Sequence, residues 1–318
     1  MALILELGWQ AVQMFLVLAV APLVLGVTRK VKARLLRRIG PPVFQPYFDL
    51  WKLMHKEAVL AHNASWLYRA APYCLFAVTW VAAALVPTFA TGLMFSWSAD
   101  LIAIVALLAT GRFALALAGM DVGTAFGGIG SSREMMIASL AEPAMLLIVI
   151  TVALIAGTTQ LSSIAENFIN GHVGLRVSLG LALFAFVFVA IAENARIPID
   201  NPATHLELTM VHEAMVLEYS GRHLAMIEAA AALKLVLYFS LLACLFFPFG
   251  IVTADREFRP LAIGIAAYLA KLLLQAALLP AGEEMVAKMR VFRYPIFLGG
   301  AFAAGALAVF LLFVSRGF

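Results

Sequence analysis

Apolar runs long enough to cross a bilayer are the feature that most limits what this chain can fold into. About 20 apolar residues in a helix span the hydrocarbon core. Because lipid leaves only helices and closed barrels with satisfied backbones, runs of this length predict helices. The runs are roughly residues 5–27, 73–95, 101–120, 135–157, 175–192, 224–249, 260–279 and 295–314. The sequence therefore predicts an all-α polytopic membrane protein with eight transmembrane helices, in which residues 1–318 form a single transmembrane domain.

The basic residues are distributed unevenly among the connections between these runs. Residues 28–72, 121–134, 193–223 and 281–294 hold fifteen of the 22 Lys and Arg residues, whereas the opposite set of connections and the two termini hold four. Loops rich in Lys and Arg stay on the cytoplasmic side. We therefore predict that both termini face outward and that the long polar loops face the cytoplasm. The net charge of +4 then reflects topology and indicates no nucleic-acid partner.

The first cytoplasmic loop carries a candidate amphipathic helix. After the basic stretch 29–38, apolar side chains recur at helical spacing, whereas the charged residues between them fall on other faces. The apolar positions are Phe44, Tyr47, Phe48, Trp51, Met54 and Ala58. We predict a cytoplasmic helix lying against the lipid headgroups. It either fixes topology as a basic anchor, or it shapes an opening into the protein or docks a partner.

The cysteines and the glycine-rich stretch give little support to chemistry within this chain. Cys74 and Cys244 stand alone in separate apolar runs, which offers no disulfide framework and no iron–sulfur ligand set. No HExxH motif follows His212, because residue 216 is Val. We therefore expect no metal and no cofactor in this chain. In residues 126–134, the absence of Gly-Lys-Ser/Thr disfavours a nucleotide site, and Ser131 with Glu134 predicts a capping box that opens a helix.

Six ionisable residues fall within or at the edge of the apolar runs. Each costs on the order of 2.5 to 3.5 kcal/mol in a membrane if it is left unpaired. The six are Arg112, Glu142, Glu193, Glu228, Lys234 and Lys271. Three cations and three anions can neutralise one another in the interior of a helix bundle. We predict a polar axis there, which serves either as a proton relay or as a set of interhelical locks.

Residues 193–221 form the most strongly charged segment, ENARIPIDNPATHLELTMVHEAMVLEYSG. An irregular turn is predicted after residue 193, where prolines follow closely, and a helix over residues 204–219. The titratable groups of the segment are Glu193, Asp200, Glu207, Glu213 and Glu218, with His205 and His212 among them. They form either paired, hydrogen-bonded groups or an ordinary solvated loop.

Several spaced motifs resemble the quinone-site membrane subunit of respiratory complex I. They are Arg38-Ile39-Gly40-Pro41 with Asp49, Lys52 and Lys56-Glu57, then Ser132-Arg133 with Glu142, then Glu193-Asn194-Ala195-Arg196-Ile197-Pro198 with Asp200, and finally Glu218-Tyr219-Ser220-Gly221. In that family the membrane-embedded Glu belongs to a charged axis leading from the quinone-side cavity toward antiporter-like subunits, and the resemblance implies this role for Glu142. The segment departs from complex I in two respects. It is three residues longer between Asp200 and Glu218, and positions 203 and 205 are Ala and His instead of Glu.

The longer form, NPATHLELTMVHEAMVLEYSG, is similar to the membrane subunit of group 4 nickel–iron hydrogenases of the formate hydrogenlyase type. The resemblance covers nearly the whole chain. It implies a non-catalytic subunit in the cytoplasmic (inner) membrane of a bacterium or archaeon. The expected partners are the hydrogenase large and small subunits, which would hold the nickel–iron site and the iron–sulfur clusters, and antiporter-like membrane subunits.

From the charges and the resemblance together we assign two sets of candidate residues. The proton or charge relay comprises Glu142, Glu193, Asp200, Glu207, Glu213, Glu218, Glu228, Arg112, Lys234 and Lys271. The partner-docking residues are Arg38, Asp49, Lys52, Glu57, Arg133, Arg196, His205, His212, Arg290 and Arg293. Two alternatives stay open: a true complex I subunit that binds a quinone, and an autonomous ion transporter. The transporter hypothesis predicts inverted repeats or unwound spans, and the sequence shows neither.

Overall fold

The computed structural model shows a chain that is helical along most of its length. The structure describes residues 2–170, 176–200, 210–253, 258–287, 289 and 293–316. The helices are α1 (Ala2–Leu35), α2 (Gln45–Met54), α3 (Trp66–Leu85), α4 (Leu101–Asp121), α5 (Ala125–Ala156), α6 (Leu161–Ile169), α7 (Val177–Glu193), α8 (His212–Val216), α9 (Gly221–Leu245), α10 (Phe258–Met285) and α11 (Tyr294–Arg316). Two short strands, β1 (Ala90–Thr91) and β2 (Val252–Thr253), pair in parallel.

A helix lies in each of the eight predicted apolar runs, but in the run 73–95 it is α3, which ends at Leu85, ten residues before the predicted end. Seven of these helices are long and apolar enough to cross a membrane. The other, α7, is apolar but has only 17 residues. At about 1.5 Å per residue it rises roughly 26 Å, slightly less than the hydrocarbon core. A mostly helical architecture is thus confirmed, with seven candidate membrane spans among the residues described, whereas the eighth crossing and the orientation stay predictions.

The helix α9 forms the centre of the bundle. It packs against α1, α2 and α3, whereas α5 packs against α4, α7 and α11. Many of the buried side chains are alanines, which let neighbouring helix backbones approach closely, as is usual in membrane bundles. By contrast α10 is largely exposed and packs mainly against α1. Of the charged residues of α9, Lys234 is partly buried within the bundle, whereas Arg222 and Glu228 are exposed.

The helix α5 begins ten residues before the predicted run, and the capping box predicted at Ser131 and Glu134 is wrong. The cap is Thr124, whose Oγ1 accepts a hydrogen bond from the backbone N–H of Gly127 at 3.2 Å. Ser131 instead donates to the carbonyl oxygen of Ala116 at 2.9 Å. Because residues 125–134 already form two helical turns, Glu134 lies inside the helix and is buried.

The helix predicted after the first span is present, but it is shorter than predicted. It begins at Gln45 and ends at Met54, before Ala58. Its Pro46 is buried against the bundle, and the Tyr47 hydroxyl donates to the carbonyl of Ala19 on α1. Phe48 and Trp51 point away from the bundle and are exposed. The helix therefore has one packed side and one free apolar side, while its position against lipid stays a prediction.

The acidic segment is less helical than predicted. Residues 194–200 are irregular, as expected from their prolines, and Ala195 adopts a left-handed conformation with φ of 48°. Of residues 210–219, only those of α8 are helical. The helix predicted over 204–219 is therefore limited, among the described residues, to α8, and residues 201–209 lie outside the part of the chain that the structure describes.

At the opposite end of the bundle, backbone hydrogen bonds join the connections between helices. The strands pair Ala90 with Val252 and Thr91 with Thr253. A second bridge links Asp100, the cap of α4, to Gln160, which precedes α6. These pairings hold the loops of that end against one another.

Candidate functional site

A buried arginine, Arg112 on α4, contacts three carboxylates from two other helices. Its guanidinium donates to Glu142 on α5 at 3.0 Å and to Glu193 at the end of α7. Its Nε lies 3.8 Å from the carboxylate of Glu134, also on α5. Arg112 therefore joins three helices through charge-assisted contacts.

Glu193 is held by a second cation on its other oxygen. Lys234, from the central helix α9, lies 2.9 Å from the Glu193 carboxylate. The side chain of Glu193 is only 3% exposed, so without these two cations its charge would be strongly unfavourable inside the bundle. The cluster of Arg112, Glu134, Glu142, Glu193 and Lys234 is called the central charge cluster below.

The central charge cluster contains four of the six span charges predicted to neutralise one another, and it adds Glu134. Glu134 was not predicted to join the cluster, because with Ser131 it fits a helix cap. A signal was available: Glu134 precedes Glu142 by eight residues, about two helical turns, which places both near the same side of one helix. A helix predicted to begin near Ala125 would have placed Glu134 beside Glu142 in the cluster.

The cluster borders a small internal cavity of about 60 Å³. Arg112, Glu134, Glu193 and Lys234 line it together with His212 and apolar side chains. A space of this size with several polar walls has room for a few water molecules. Water there would connect the carboxylates to the next, larger cavity.

That larger cavity, called the chamber below, has a volume of about 360 Å³. It lies between α1, α9, α10 and the irregular residues after α7. Its charged lining residues are Arg29, Lys32, Arg196, Asp200, His212, Glu213, Glu228 and Glu283. Asn194, Ala195 and His212 line both the chamber and the small cavity, so the two adjoin. The polar wall of the chamber therefore leads to the central charge cluster.

A third cavity, of about 230 Å³, lies beneath α2. Pro46 and Asp49 of α2 line it, and it shares Arg29 and Glu228 with the chamber. Three adjoining cavities thus run from the surface helix to the central charge cluster.

One wall of the chamber is an ion-pair group that joins α1, α10 and the loop after α7. Lys32 lies 2.7 Å from Glu283 and 3.8 Å from Glu284, and Arg196 lies 3.7 Å from Glu283. Burial, its largest influence, lowers the pKa of Arg196 from its ordinary value, although Glu283 opposes this change. Arg196 was predicted as a docking residue, but the structure places it in the chamber wall.

His212 and Asp200 lie on the side of the chamber nearest the cluster. Burial lowers the pKa of His212 below its ordinary value of 6.5, and the nearby Glu134 acts in the opposite direction. The neutral imidazole is therefore favoured at pH 7. The carboxylate of Asp200 accepts a hydrogen bond from the backbone N–H of Val211 at 3.2 Å, which fixes the start of α8 beside it.

The remaining relay candidates are spread over different places. Glu213 and Glu228 line the chamber, whereas Glu218 is exposed. Lys271 is not in the cluster: its ammonium donates to the carbonyl oxygen of Phe247, just beyond the end of α9, at 2.6 Å. The prediction that all six span charges neutralise one another is wrong for Lys271, which instead stabilises the C-terminal end of a helix. It is also wrong for Glu228, which is exposed and forms no ion pair among the described residues.

Four of the eight docking candidates that the structure describes are at the surface. Arg38, Lys52, Glu57 and Arg293 are exposed. Two others are engaged within the chain: Asp49 lies 3.9 Å from Arg29, and Arg133 donates to the carbonyl of Met210 at 2.7 Å. The candidates Glu207, His205 and Arg290 lie outside the described residues.

The described residues hold no group of three or more His, Cys, Asp and Glu side chains arranged to bind a metal ion. The side chains of the central charge cluster are carboxylates and ion-pairing cations. Its carboxylates can exchange partners or protons when a neighbouring cation moves.

A family model described as NADH dehydrogenase matches residues 9–314. The chain belongs to the NADH dehydrogenase family. Among its relatives, hydrogenase-4 component C of Escherichia coli (strain K12) is 33% identical, covering 94% of each chain. Formate hydrogenlyase subunit 4 of the same organism is 32% identical over 93% of this chain and 95% of the relative.

Other members of the NADH dehydrogenase family are also similar. NADH-quinone oxidoreductase subunit 8 of Rhodothermus marinus is 29% identical over 76% of this chain and 74% of its own. A chain from the structure of the membrane-bound sulfane sulfur reductase, an archaeal respiratory membrane complex, superimposes with a TM-score of 0.82. It is 21% identical and covers 96% of this chain and 99% of its own, which shows the shared fold. The resemblance drawn from the sequence motifs is thus confirmed, and the chain is a homologue of membrane subunits of respiratory complexes.

Proposed function

We propose that this chain is the membrane subunit of a group 4 nickel–iron hydrogenase complex of the formate hydrogenlyase type. It anchors the soluble catalytic subunits and couples their reaction to ion movement, without performing redox chemistry itself. The similarity to hydrogenase-4 component C and formate hydrogenlyase subunit 4 along more than nine tenths of the chain supports this assignment.

The observation that carries the coupling proposal is the position of Arg112 between Glu142 and Glu193. A guanidinium is charged at any physiological pH, so the protons in such a cluster belong to its carboxylates. If Glu193 gains a proton, its attraction for Arg112 falls, and the cation can move toward Glu142 or Glu134. Protonation of Glu193 is thereby converted into a movement of the Arg112 charge toward Glu142 or Glu134.

The exposure of the two carboxylates gives this shift a direction. Glu193 is 3% exposed and adjoins the chamber through the small cavity, whereas Glu142 is 38% exposed at the outside of the bundle. A neighbouring membrane subunit can therefore contact Glu142 directly. We assign that position to an antiporter-like subunit, and the chamber side to the soluble hydrogenase subunits.

The topology follows from the same assignment. The chain crosses the cytoplasmic membrane of a bacterium or archaeon eight times, with α7 as the shortest crossing and both termini outside. The loops 28–72, 193–223 and 281–294 then face the large and small hydrogenase subunits, which hold the nickel–iron site and iron–sulfur clusters. The exposed Phe48 and Trp51 of α2 lie at the lipid headgroups.

The test is to neutralise the two carboxylates separately in the intact complex. Glu142→Gln and Glu193→Gln are expected to lower ion uptake into vesicles per hydrogen turned over, because each removes one position for the shared cation. The matched control is Glu166→Gln on α6, a partly buried carboxylate outside the cluster. Unchanged turnover together with unchanged ion coupling in both variants would remove the relay proposal.

A second candidate function is the quinone-site subunit of a complex I-type enzyme. The three adjoining cavities favour it, because together they lead from the apolar surface helix α2 into the bundle. Copurification separates the two functions. A nickel–iron large subunit supports the hydrogenase assignment, whereas a peripheral arm whose activity requires added quinone supports the alternative.

A further inference from the structure

Two exposed arginines without ion-pair partners lie where α3 and α9 meet. Arg69 belongs to the first turn of α3, and Arg222 to the first turn of α9. Within the described part of the chain, neither forms an ion pair with a carboxylate. Glu218 lies near Tyr68 but makes no such pair with either arginine. An anion bound near both arginines would be stabilised by their two positive charges.

A buried histidine near these arginines has a ring nitrogen that lacks a hydrogen bond. His223 is only 5% exposed, and its Nδ1 has no hydrogen-bond partner among the described residues. Arg69 and Arg222 are the two charged groups that act on its ring electrostatically. A buried ring nitrogen without a partner is costly, so this atom indicates a missing ligand.

The backbone at this point also favours an anion. The helix α9 starts at Gly221 after Ser220, and no side chain caps its first N–H groups. Uncapped N–H groups and the helix dipole attract negative charge to an N-terminus. Arg222 and His223 stand in that same first turn.

Aromatic side chains identify the anion as part of a lipid. Trp66, Arg69 and Tyr73 follow one another at i, i+3 and i+7, so they share one side of α3. Both aromatic rings are exposed, and the edge of Tyr73 contacts the ring of His223 with centroids 5.6 Å apart. Exposed aromatic rings at the end of a span are typical of the membrane–water boundary, where acyl chains pass beside them.

We propose that Arg69, Arg222 and His223 bind the phosphate of an anionic phospholipid at the end of the bundle that holds the chamber. The two guanidiniums and the imidazole hold the headgroup phosphate at the start of α9. The acyl chains then lie along Tyr73 and the outer surface of α3. A lipid with net negative charge, such as phosphatidylglycerol, neutralises the two arginines better than a zwitterionic one.

The test measures stabilisation of the purified complex by added lipid. Short-chain phosphatidylglycerol is expected to raise the melting temperature, and phosphatidylcholine of the same chain length to raise it much less. Each arginine at a lipid surface contributes roughly a fivefold gain in binding, so Arg69→Gln/Arg222→Gln should weaken phosphatidylglycerol binding about 25-fold. The control, Arg34→Gln/Arg37→Gln, removes the same charge from exposed positions near the end of α1 and should leave binding unchanged.

Further outcomes decide between lipid and other anions. Stabilisation by inorganic phosphate equal to that by phosphatidylglycerol would overturn the lipid assignment, as would equal stabilisation by phosphatidylcholine. If Arg34→Gln/Arg37→Gln weakened phosphatidylglycerol binding equally, the effect would come from the overall charge of the protein, and this result would also overturn the proposed site. Should the double variant not assemble, Arg222→Gln alone is used, because this exposed side chain has no partner whose loss could unfold the chain; a fivefold loss supports the site, and no loss overturns it.

Discussion

Arg112 and Glu193 form a buried ion pair across 81 positions of the chain, joining the middle of α4 to the end of α7. The same guanidinium reaches Glu142 on α5, and Lys234 on α9 reaches the other oxygen of Glu193. Four helices thus depend on two cations for the compensation of their buried charges.

Replacing Arg112 should destabilise the bundle strongly. Arg112→Gln leaves Glu193 and Glu134 buried with one cation fewer, and breaking a buried pair from one side costs about 3–5 kcal/mol. The midpoint of thermal unfolding in detergent should fall well below that of Arg259→Gln, in which an exposed arginine is removed. Adding Glu193→Gln to Arg112→Gln should restore part of the loss. Equal unfolding midpoints for Arg112→Gln and Arg259→Gln would contradict the stabilising role assigned to the ion pair of Arg112 and Glu193.

His212 should make the chain sensitive to acid. Because burial lowers its pKa below 6.5, the unfolded chain binds a proton that the folded chain does not as the pH falls below that value. Stability is therefore unaffected above about pH 7 and declines from about pH 6.5 toward pH 5. His212→Gln should show a shallower decline of the unfolding midpoint over this interval. His62→Gln, at an exposed position, should keep the slope of the parent chain.

Glu283 and its neighbour Glu284 should differ in importance although both contact Lys32. The Glu283 carboxylate is 3% exposed and also faces Arg196, whereas Glu284 is 30% exposed and 3.8 Å from the lysine. Glu283→Gln should cost about 3–5 kcal/mol of unfolding free energy, and Glu284→Gln about 0–1 kcal/mol. Denaturant unfolding of the two variants measures the difference. A similar cost for both would show that the group does not join α1 to α10.

Gly221 should not tolerate a side chain. Its φ is +53°, and a Cβ there would clash with the carbonyl group of Glu57, lying 2.7 Å from its carbon. Gly221→Ala therefore strains the backbone and forces the 57–59 loop away, at a cost of about 1–3 kcal/mol. Thermal unfolding of the variant in detergent measures this cost. Gly180→Ala is the matched control, because it lies inside α7 with nothing within 4 Å of the added carbon. That control should be neutral or stabilising by up to about 1 kcal/mol, since alanine favours a helix.

Hydropathy alone predicted the helices that span the bundle, because burial in lipid requires long apolar runs and satisfied backbones. It also identified most of the central charge cluster, since a charge inside a span needs a partner. The identity of the partners did not follow, because pairing depends on which helices are neighbours. Lys271 shows this: nothing in the sequence distinguishes it from Lys234, yet α10 lies outside the bundle centre.

Short motifs were a poorer guide than long runs. Ser131 and Glu134 fit a capping box, but a helix that started earlier placed both inside it, where Glu134 contacts Arg112. Local capping contributes about 1 kcal/mol, which is less than the cost of leaving Arg112 short of a partner. Periodicity was likewise a poor guide at α8. The start of this helix is set by the hydrogen bond to Asp200 and by packing in the chamber wall, which helical spacing in the sequence does not predict.

The paired strands β1 and β2 make the two ends of the molecule mechanically unequal. Their hydrogen bonds, with the bridge from Asp100 to Gln160, tie together the connections at the end opposite the chamber, whereas side-chain ion pairs join α1, α10 and the loop after α7 at the chamber end. When the connections at only one end of a helix bundle are joined by backbone hydrogen bonds, the helices tilt about that end. Small tilts of α1 or α10 would then change the width of the chamber and leave the backbone pairings at the opposite end intact.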